Sequence, residues 1–423
     1  MQQVSRACAV ALVLVAGAVV ATPANEPTPG RSVESLLEYA KARNPEYASM
    51  GFEAVAADER INAAGALPDP KLRTELMDIT KSGEQNPTLL PGRVESTRYT
   101  LMQDIPWFGK RDLRREIAEQ DAQAAKGRVM GTWAELSTRI KSAYAQLYYV
   151  HRNERLAVEI LDLMSRLEKT AQVRYAGGLG AQQDVIRAQV EQTMLKNELL
   201  ALENERRQLQ ARLNSLLARP TDAPLAEPER LRTMPSPATL DHAALQDRVR
   251  ARNPQLFTDD ARVKAAEKTR DLAYRNRYPD FSFGISPNQF RNTLKQWDVM
   301  VEFNIPLQQS TRRSQERESE AMLSSARARR EATANQVLGE LAESRSGLDA
   351  ARRIEAQTTI ILLPQAELTF QAALPGYENG KVDFATLLDA QRQIRQAKQN
   401  VIKAQAESQV RLADIERILG EDL

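Results

Sequence analysis

The chain has 423 residues, enough for two or three ordinary domains, but only 5% are aromatic and 27% are charged. Long glycine-free tracts of Ala, Leu, Glu, Gln and Arg point instead to long helices or coiled coils. The net charge of +2 comes from 58 basic and 56 acidic residues mixed along the whole chain, which excludes the one-sided basic patch of a nucleic-acid-binding protein.

In chain order, residues 1–24 read as a secretory signal peptide. Arg6 precedes an apolar run from Ala7 to Ala21 that is short for a membrane helix, and Ala21 and Ala24 offer cleavage points. Cys8, the single cysteine, lies in this segment with no apolar run before it, unlike a lipid-bearing cysteine. The mature chain then has neither disulfides nor thiolate metal sites. No stretch after residue 30 is apolar for 18 residues, so entry into a membrane would require strands.

The rest divides into a first structural repeat over 25–218, a linker over 219–240 and a second repeat over 241–423. A short amphipathic helix over 32–42 leads into Ala42-Arg43-Asn44-Pro45, and the same four residue types recur at Ala251-Arg252-Asn253-Pro254. Helices follow at about 46–66 and 255–277, each ending near a Pro-Asp pair, Pro68-Asp69 and Pro279-Asp280. Features recurring in one order at near-constant offset indicate duplication. The period then drops to two, predicting strands at about 71–79 and 96–105, and again at 281–287 and 297–305. Phe281, Phe283 and Ile285 alternate with Ser282, Gly284 and Ser286; Gln103 interrupts the apolar set of the second strand. Polar loops over 80–95 and 287–296 join the pairs, and each pair ends in Ile-Pro, at Ile105-Pro106 and Ile305-Pro306.

A very long helix follows each hairpin, at about 109–175 and 309–375, and returning helices run at about 181–218 and 383–419. At 1.5 Å per residue the long helices reach on the order of 100 Å. Trp133, Leu136, Ile140, Ala143, Leu147 and Val150 form a heptad-like seam, as do Leu387, Ala390, Ile394, Ala397, Val401 and Ala404. The linker holds Pro220, Pro224, Pro228, Pro235 and Pro237. Between the outgoing and returning helices stand two glycine tips, Tyr175-Ala176-Gly177-Gly178 and Tyr377-Glu378-Asn379-Gly380; Tyr175 and Tyr377 are 202 positions apart, as are Gly178 and Gly380. Four strands cannot close a barrel, and an open sheet in lipid leaves its edges unpaired, so strands must be pooled between copies: eight from two, twelve from three. Two histidines in unrelated settings and scattered methionines give no coordination constellation, and no nucleophile–base pair, phosphate loop or dinucleotide fingerprint is present. Neither a bound metal, a cofactor nor an enzymatic activity is expected.

In this order of features the mature chain resembles, over essentially its whole length, the TolC-like outer-membrane channel family. The resemblance implies a mainly α chain with a small membrane β-barrel: a homotrimer whose twelve-stranded barrel, set in outer-membrane lipid of a Gram-negative bacterium, stands on an α-helical periplasmic tunnel. The stretch Gln103-Asp104-Ile105-Pro106-Trp107-Phe108-Gly109-Lys110-Arg111-Asp112-Leu113-Arg114 is similar to the Ile-Pro-x-x-Gly-Lys-Arg-x-x-Arg segment of its heavy-metal (copper/silver or cobalt/zinc/cadmium) efflux branch. The implied function is passive conduction as the outer component of a tripartite system, with a periplasmic adaptor (membrane fusion) protein and an inner-membrane resistance-nodulation-division pump. The same fold also serves drug efflux or type I protein secretion. A secreted coiled-coil stalk without a pore would explain the helices but not the alternating hairpins.

By the same resemblance, Asp389 in Leu388-Asp389-Ala390 matches an acidic constriction ring at the tips. A second ring position is Thr386 here, with Asp383 nearby as a substitute charge. Tyr377 and Asp184 match a tyrosine–aspartate pair that holds the tips closed; the basic partner has no match at Val382, leaving Lys381 one place off. Each residue also has a structural reading. Asp389 can be a solvated helix charge, Asp184 can sit on the helix dipole, Tyr175 and Tyr377 can simply pack, and Lys110 and Arg111 can form a solvated face where strand meets helix.

Overall fold

In a computed structural model, residues 28–291 and 293–423 are described; the signal-peptide reading of 1–24, with Cys8, falls outside them. The two Arg-Asn-Pro sequences explain how each repeat begins. α1 (Val33–Arg43) is followed by α2 (Pro45–Gly65), and Asn44 stands between them. Its Oδ1 accepts the Tyr47 amide at 3.0 Å, while its Nδ2 donates to the Leu216 carbonyl at 2.8 Å. Proline at the first helical position needs no amide partner, so one asparagine caps the new helix and uses its other end elsewhere. That end reaches α4 (Gln182–Leu216), the returning helix of the same repeat. Asn253 does the same between α5 (His242–Arg252) and α6 (Pro254–Arg275), accepting from Gln255 and Leu256 and donating to the Ile418 carbonyl at 2.7 Å. Ile418 closes α9 (Phe384–Leu419), the returning helix of the second repeat. Each repeat is thus tied into a loop by the buried amide of one asparagine.

The outgoing helix of the first repeat, α3 (Lys110–Ala176), is unbroken over 67 residues. Its seam residues Leu136, Ile140, Ala143, Leu147 and Val150 are buried with Val33, Leu36 and Ala40 of α1 and Leu213 of α4. At Gly127 an added Cβ would lie 2.3 Å from Thr258 Oγ1, so α3 and α6 approach there as only glycine allows. The outgoing helix of the second repeat differs from the single span read over 309–375. α7 (Gln309–Gln357) opens into a π turn at Thr358–Leu362 before α8 (Leu363–Glu378). Pro364 is the cause: it has no amide to bond back one turn, and its ring clashes with that carbonyl, so the helix widens just before it.

Four strands form one antiparallel sheet in sequence order: β1 (Lys71–Met77), β2 (Ser96–Ile105), β3 (Phe281–Phe290) and β4 (Thr293–Phe303). The central β2–β3 pairing joins the two repeats. The second hairpin reaches further than its alternation suggests, running to Phe290 and Thr293 through the segment read as a loop over 287–296. Cross-strand pairing to Leu294 and Thr293 sustains it past a register shift at Asn288/Gln289. Leu72, Leu101, Ile285 and Val299 stand opposite one another across all four strands, on one face, and each is more than half exposed. The other face is polar: Thr100 and Ser286 hydroxyls lie 2.8 Å apart, Arg98 donates to Asn288 at 2.9 Å, and Lys71 to Asp104 at 2.6 Å. Apolar out and polar in is the alternation of a membrane barrel wall. Gln103, on the apolar side, spends its amide on the Pro68 carbonyl at 2.7 Å.

The Gly109-Lys110-Arg111 stretch occupies the corner between sheet and helix, and a solvated face is the wrong description of it. Gly109 has φ of 81°, a left-handed turn that glycine adopts at no steric cost. Lys110 is 3% exposed and donates to Asp280 at 2.8 Å and to the Tyr278 carbonyl at 2.9 Å. Asp280 also accepts the Trp107 amide, and the Trp107 ring stacks on Tyr278 and Phe281. Arg111 donates twice to the Gly65 carbonyl at the end of α2. These charges pin both repeats at the point where strands become helices.

Candidate functional site

The two glycine tips turn the long helices back. In the first, the Leu179 amide returns to the Arg174 carbonyl and Gly178 takes φ of 69°. In the second, the Lys381 amide returns to the Gly376 carbonyl and Gly380 takes φ of 72°. Similar backbones carry unlike side chains. Tyr175 is half exposed, whereas Tyr377 is 2% exposed and packs on Phe384 with ring centroids 5.2 Å apart. Tyr377, Phe384 and Leu387 belong to a core with Leu156, Met164 and Leu195, so the second tip is packed onto α3 and α4.

Asp184 and Tyr377 are neighbours without a hydrogen bond between them. Burial, reinforced by the Asp184 charge, pushes the Tyr377 hydroxyl pKa up, and Arg174 opposes the shift. The Tyr377 hydroxyl is buried with no hydrogen-bond partner among the described residues. Lys381 is exposed and makes no ion pair among them, so neither it nor Val382 supplies the basic partner. The cation at this place is Arg174, on the other hairpin. Its guanidinium carbon lies 4.9 Å from the Tyr377 ring centre; one amino group donates to the Leu179 carbonyl at 2.9 Å and the other to the Glu378 carbonyl. Sequence reasoning missed it because it searched for the cation in the second repeat. A signal was present: Arg174 precedes Tyr175, whereas the residue preceding Tyr377 is Gly376, where a Cβ would lie 2.6 Å from Val382.

At the start of α9, its N-cap Asp383 and then Thr386 and Asp389 recur every third residue and all are exposed, while Phe384, Leu387, Leu388 and Ala390 beside them are buried. Asp383 caps the helix, its Oδ1 accepting the Thr386 amide at 3.0 Å. Hydrogen bonds from Thr386 hold the Asp383 carboxyl below the usual range, so it stays charged at the rim. Asp389 lies 3.6 Å from Arg392, one turn on, with two thirds of its side chain open. Arg392 is itself held at 2.8 Å by Glu191 of α4, which is buried, and Arg395 lies 3.5 Å from Glu198. Ile186, Val190, Glu191, Leu388, Asp389 and Arg392 line a groove of about 630 Å³ between α4 and α9. Among the described residues no group of His, Cys, Asp and Glu could hold a metal ion, and no helix is long and apolar enough to cross a membrane. The arrangement sets an exposed row of Asp383, Thr386 and Asp389 beside a groove.

Comparison with known proteins agrees along nearly the whole chain. The cobalt-zinc-cadmium resistance protein CzcC of Cupriavidus metallidurans is 23% identical over 398 residues, covering 92% of this chain and 90% of that protein. The outer membrane protein VceC of Vibrio cholerae has a similar structure, with a TM-score of 0.78 at 19% identity over 92% of this chain and 96% of that one. CusC, whose crystal structures were described for transmembrane channel formation, gives a TM-score of 0.79 at 16% identity over 93% of both chains. Residues 36–219 and 245–421 match the description of outer membrane efflux proteins, one segment from each repeat. With both halves matched and the same fold, the chain belongs to the outer membrane efflux protein family.

Proposed function

We propose that this outer-membrane efflux channel works as a homotrimer in a tripartite system and that its cargo is heavy-metal cations. One observation carries the assembly from several copies: a four-stranded sheet, apolar on one face and polar on the other, whose outer strands β1 and β4 have no further partner among the described residues. Edges of that kind cannot face lipid, and pairing β4 of one copy with β1 of the next closes a ring of twelve strands from three copies. The α3 helix, on the order of 100 Å long, then walls a periplasmic tunnel ending at the tips. A periplasmic adaptor and an inner-membrane resistance-nodulation-division pump would deliver substrate there, and transit needs no chemistry. Similarity to CzcC supports cobalt, zinc and cadmium as cargo.

Three Asp389 carboxylates converging at the tips would raise local cation concentration and favour cation passage. Planar-bilayer recording of the purified protein tests this. The parent should pass cations in preference to anions, and Asp389→Asn should lose most of that preference. Absence of conductance in the parent and in a combined Asp389→Ala, Asp184→Ala variant would overturn the channel. Unchanged tolerance of cobalt, zinc, cadmium, copper and silver in a deletion strain would overturn the cargo.

A further inference from the structure

Each of the two tips is held within itself by backbone hydrogen bonds. What holds one tip to the other is a separate question: Arg392 and Arg395 of α9 pair with Glu191 and Glu198 of α4 further along the helices, and at the turns themselves Arg174 donates from one tip to the other. We propose that Arg174 is the positioning residue that clamps the second tip to the first within each chain, and that closure rests on this guanidinium and not on a tyrosine–aspartate bond. The proposal rests on the channel reading above and assigns the residue that holds its gate.

The geometry is specific to arginine. Its planar fork offers five donors in fixed directions. One arm reaches the Leu179 carbonyl of its own tip and the other the Glu378 carbonyl of the opposite tip. Leu179 lies just past the end of α3, and Glu378 is the last residue of α8. The carbonyl at the C-terminus of α8 carries partial negative charge, so a cation there is favoured by the helix dipole as well as by the hydrogen bond. The ring of Tyr377 forms the floor, 4.9 Å from the guanidinium carbon, and adds a cation–π contact. Gly380 leaves the roof open, since a Cβ there would stand 3.4 Å from the amino group.

The clamp is also incomplete. Arg174 Nε and the Tyr377 hydroxyl are both buried without a hydrogen-bond partner among the described residues. The Asp184 carboxylate, whose charge Tyr377 feels, is only partly buried. Opening would hydrate Arg174 Nε and the Tyr377 hydroxyl, which offsets part of what the clamp loses. A closed state held this way is less stable than a fully bonded one, so an adaptor binding the open form needs less differential affinity to shift the balance. The π turn at Thr358–Leu362 and Pro364 interrupt the helix that carries Glu378, so release at Glu378 frees a short segment and not a rigid rod.

The test combines amide hydrogen exchange over residues 374–384 with single-channel recording, on purified parent, Arg174→Gln, Arg174→Lys and Arg174→Gln with Tyr377→Leu. Arg174→Gln should raise exchange at the second tip about tenfold, leave residues 138–150 unchanged, and raise open probability by a similar factor. Arg174→Lys keeps the charge but loses the fork, and should recover part of both. The double variant should exceed Arg174→Gln by little, because ring and guanidinium act as one unit. Tip exchange and open probability equal to the parent in Arg174→Gln, or fully additive effects in the double variant, would overturn the clamp. Exchange is measurable whether or not the protein conducts. A silent channel with the exchange pattern intact therefore counts against the channel reading and leaves the clamp standing.

Discussion

Replacing Glu416 with glutamine should be among the most destabilising single-atom changes in the periplasmic region. Glu416 is 2% exposed on the side chain and faces Lys141, 3% exposed, at 2.7 Å. Arg232 of the linker donates to both carboxylate oxygens at 2.9 and 3.0 Å, and the Leu423 amide adds a fourth bond at 3.1 Å. One carboxylate therefore joins α3, the linker, α9 and the C-terminal tail. Glutamine keeps the shape but turns one acceptor into a donor facing two cations. Breaking a buried pair from one side costs about 3–5 kcal/mol. Lys141 keeps Asp422, which is 73% exposed and weakly effective, so the lower end of that range, about 3 kcal/mol, applies. For a chain of this length that lowers the melting midpoint by roughly 3 °C. Thermal loss of helical circular dichroism at a fixed scan rate measures it. Lys141→Met should cost less, because Glu416 retains Arg232 and the Leu423 amide. Glu416 is 27 residues from Asp389 on α9, on the order of 40 Å, so conductance at room temperature should not change. A Glu416→Gln midpoint within about a degree of the parent, or a Lys141→Met loss larger than that of Glu416→Gln, would refute the reasoning.

Two further changes probe other parts of the same frame. Gly127→Ala drives a methyl group into Thr258 Oγ1 and within 3.3 Å of the Thr258 backbone, so overpacking between α3 and α6 should cost about 1–3 kcal/mol; chemical denaturation would show it, and an unchanged midpoint would count against the close approach. His151, 8% exposed and 3.1 Å from Glu227, has its pKa lowered by burial against the pull of Glu227 and Glu154. Because the folded state takes up this proton less readily than the unfolded chain, the stability it contributes is full above about pH 6.5 and is lost as pH falls through the lower folded value. His151→Gln should flatten the decline of the melting midpoint below pH 6.5, and equal slopes in parent and variant would contradict the assignment.

Local patterns carried much of this protein in plain view. Helical periodicity, a switch to period two, and glycines between heptad seams are properties of neighbouring residues, so the mostly helical chain with a small sheet was legible from them. The Arg-Asn-Pro sequences marked the duplication, but not that each asparagine reaches the end of its own returning helix, 172 residues away for Asn44 and 165 for Asn253. Lys110 looked like surface because lysine usually is; only the approach of Asp280, from the other repeat, made its burial possible. The π turn was foreshadowed by Pro364 and overlooked because the apolar pattern continues across it. At the tips, the glycines and the exposed stripe of Asp383, Thr386 and Asp389 follow from sequence spacing. The cation facing Tyr377 does not, because it comes from a helix two hundred residues earlier. What the sequence alone determined was the order and type of most elements and the two glycine tips, since those depend on residues within a few positions of one another. Which charges are buried, and which side chain joins the two tips, was decided only when the two repeats packed together, because pairing and desolvation depend on groups distant in the chain.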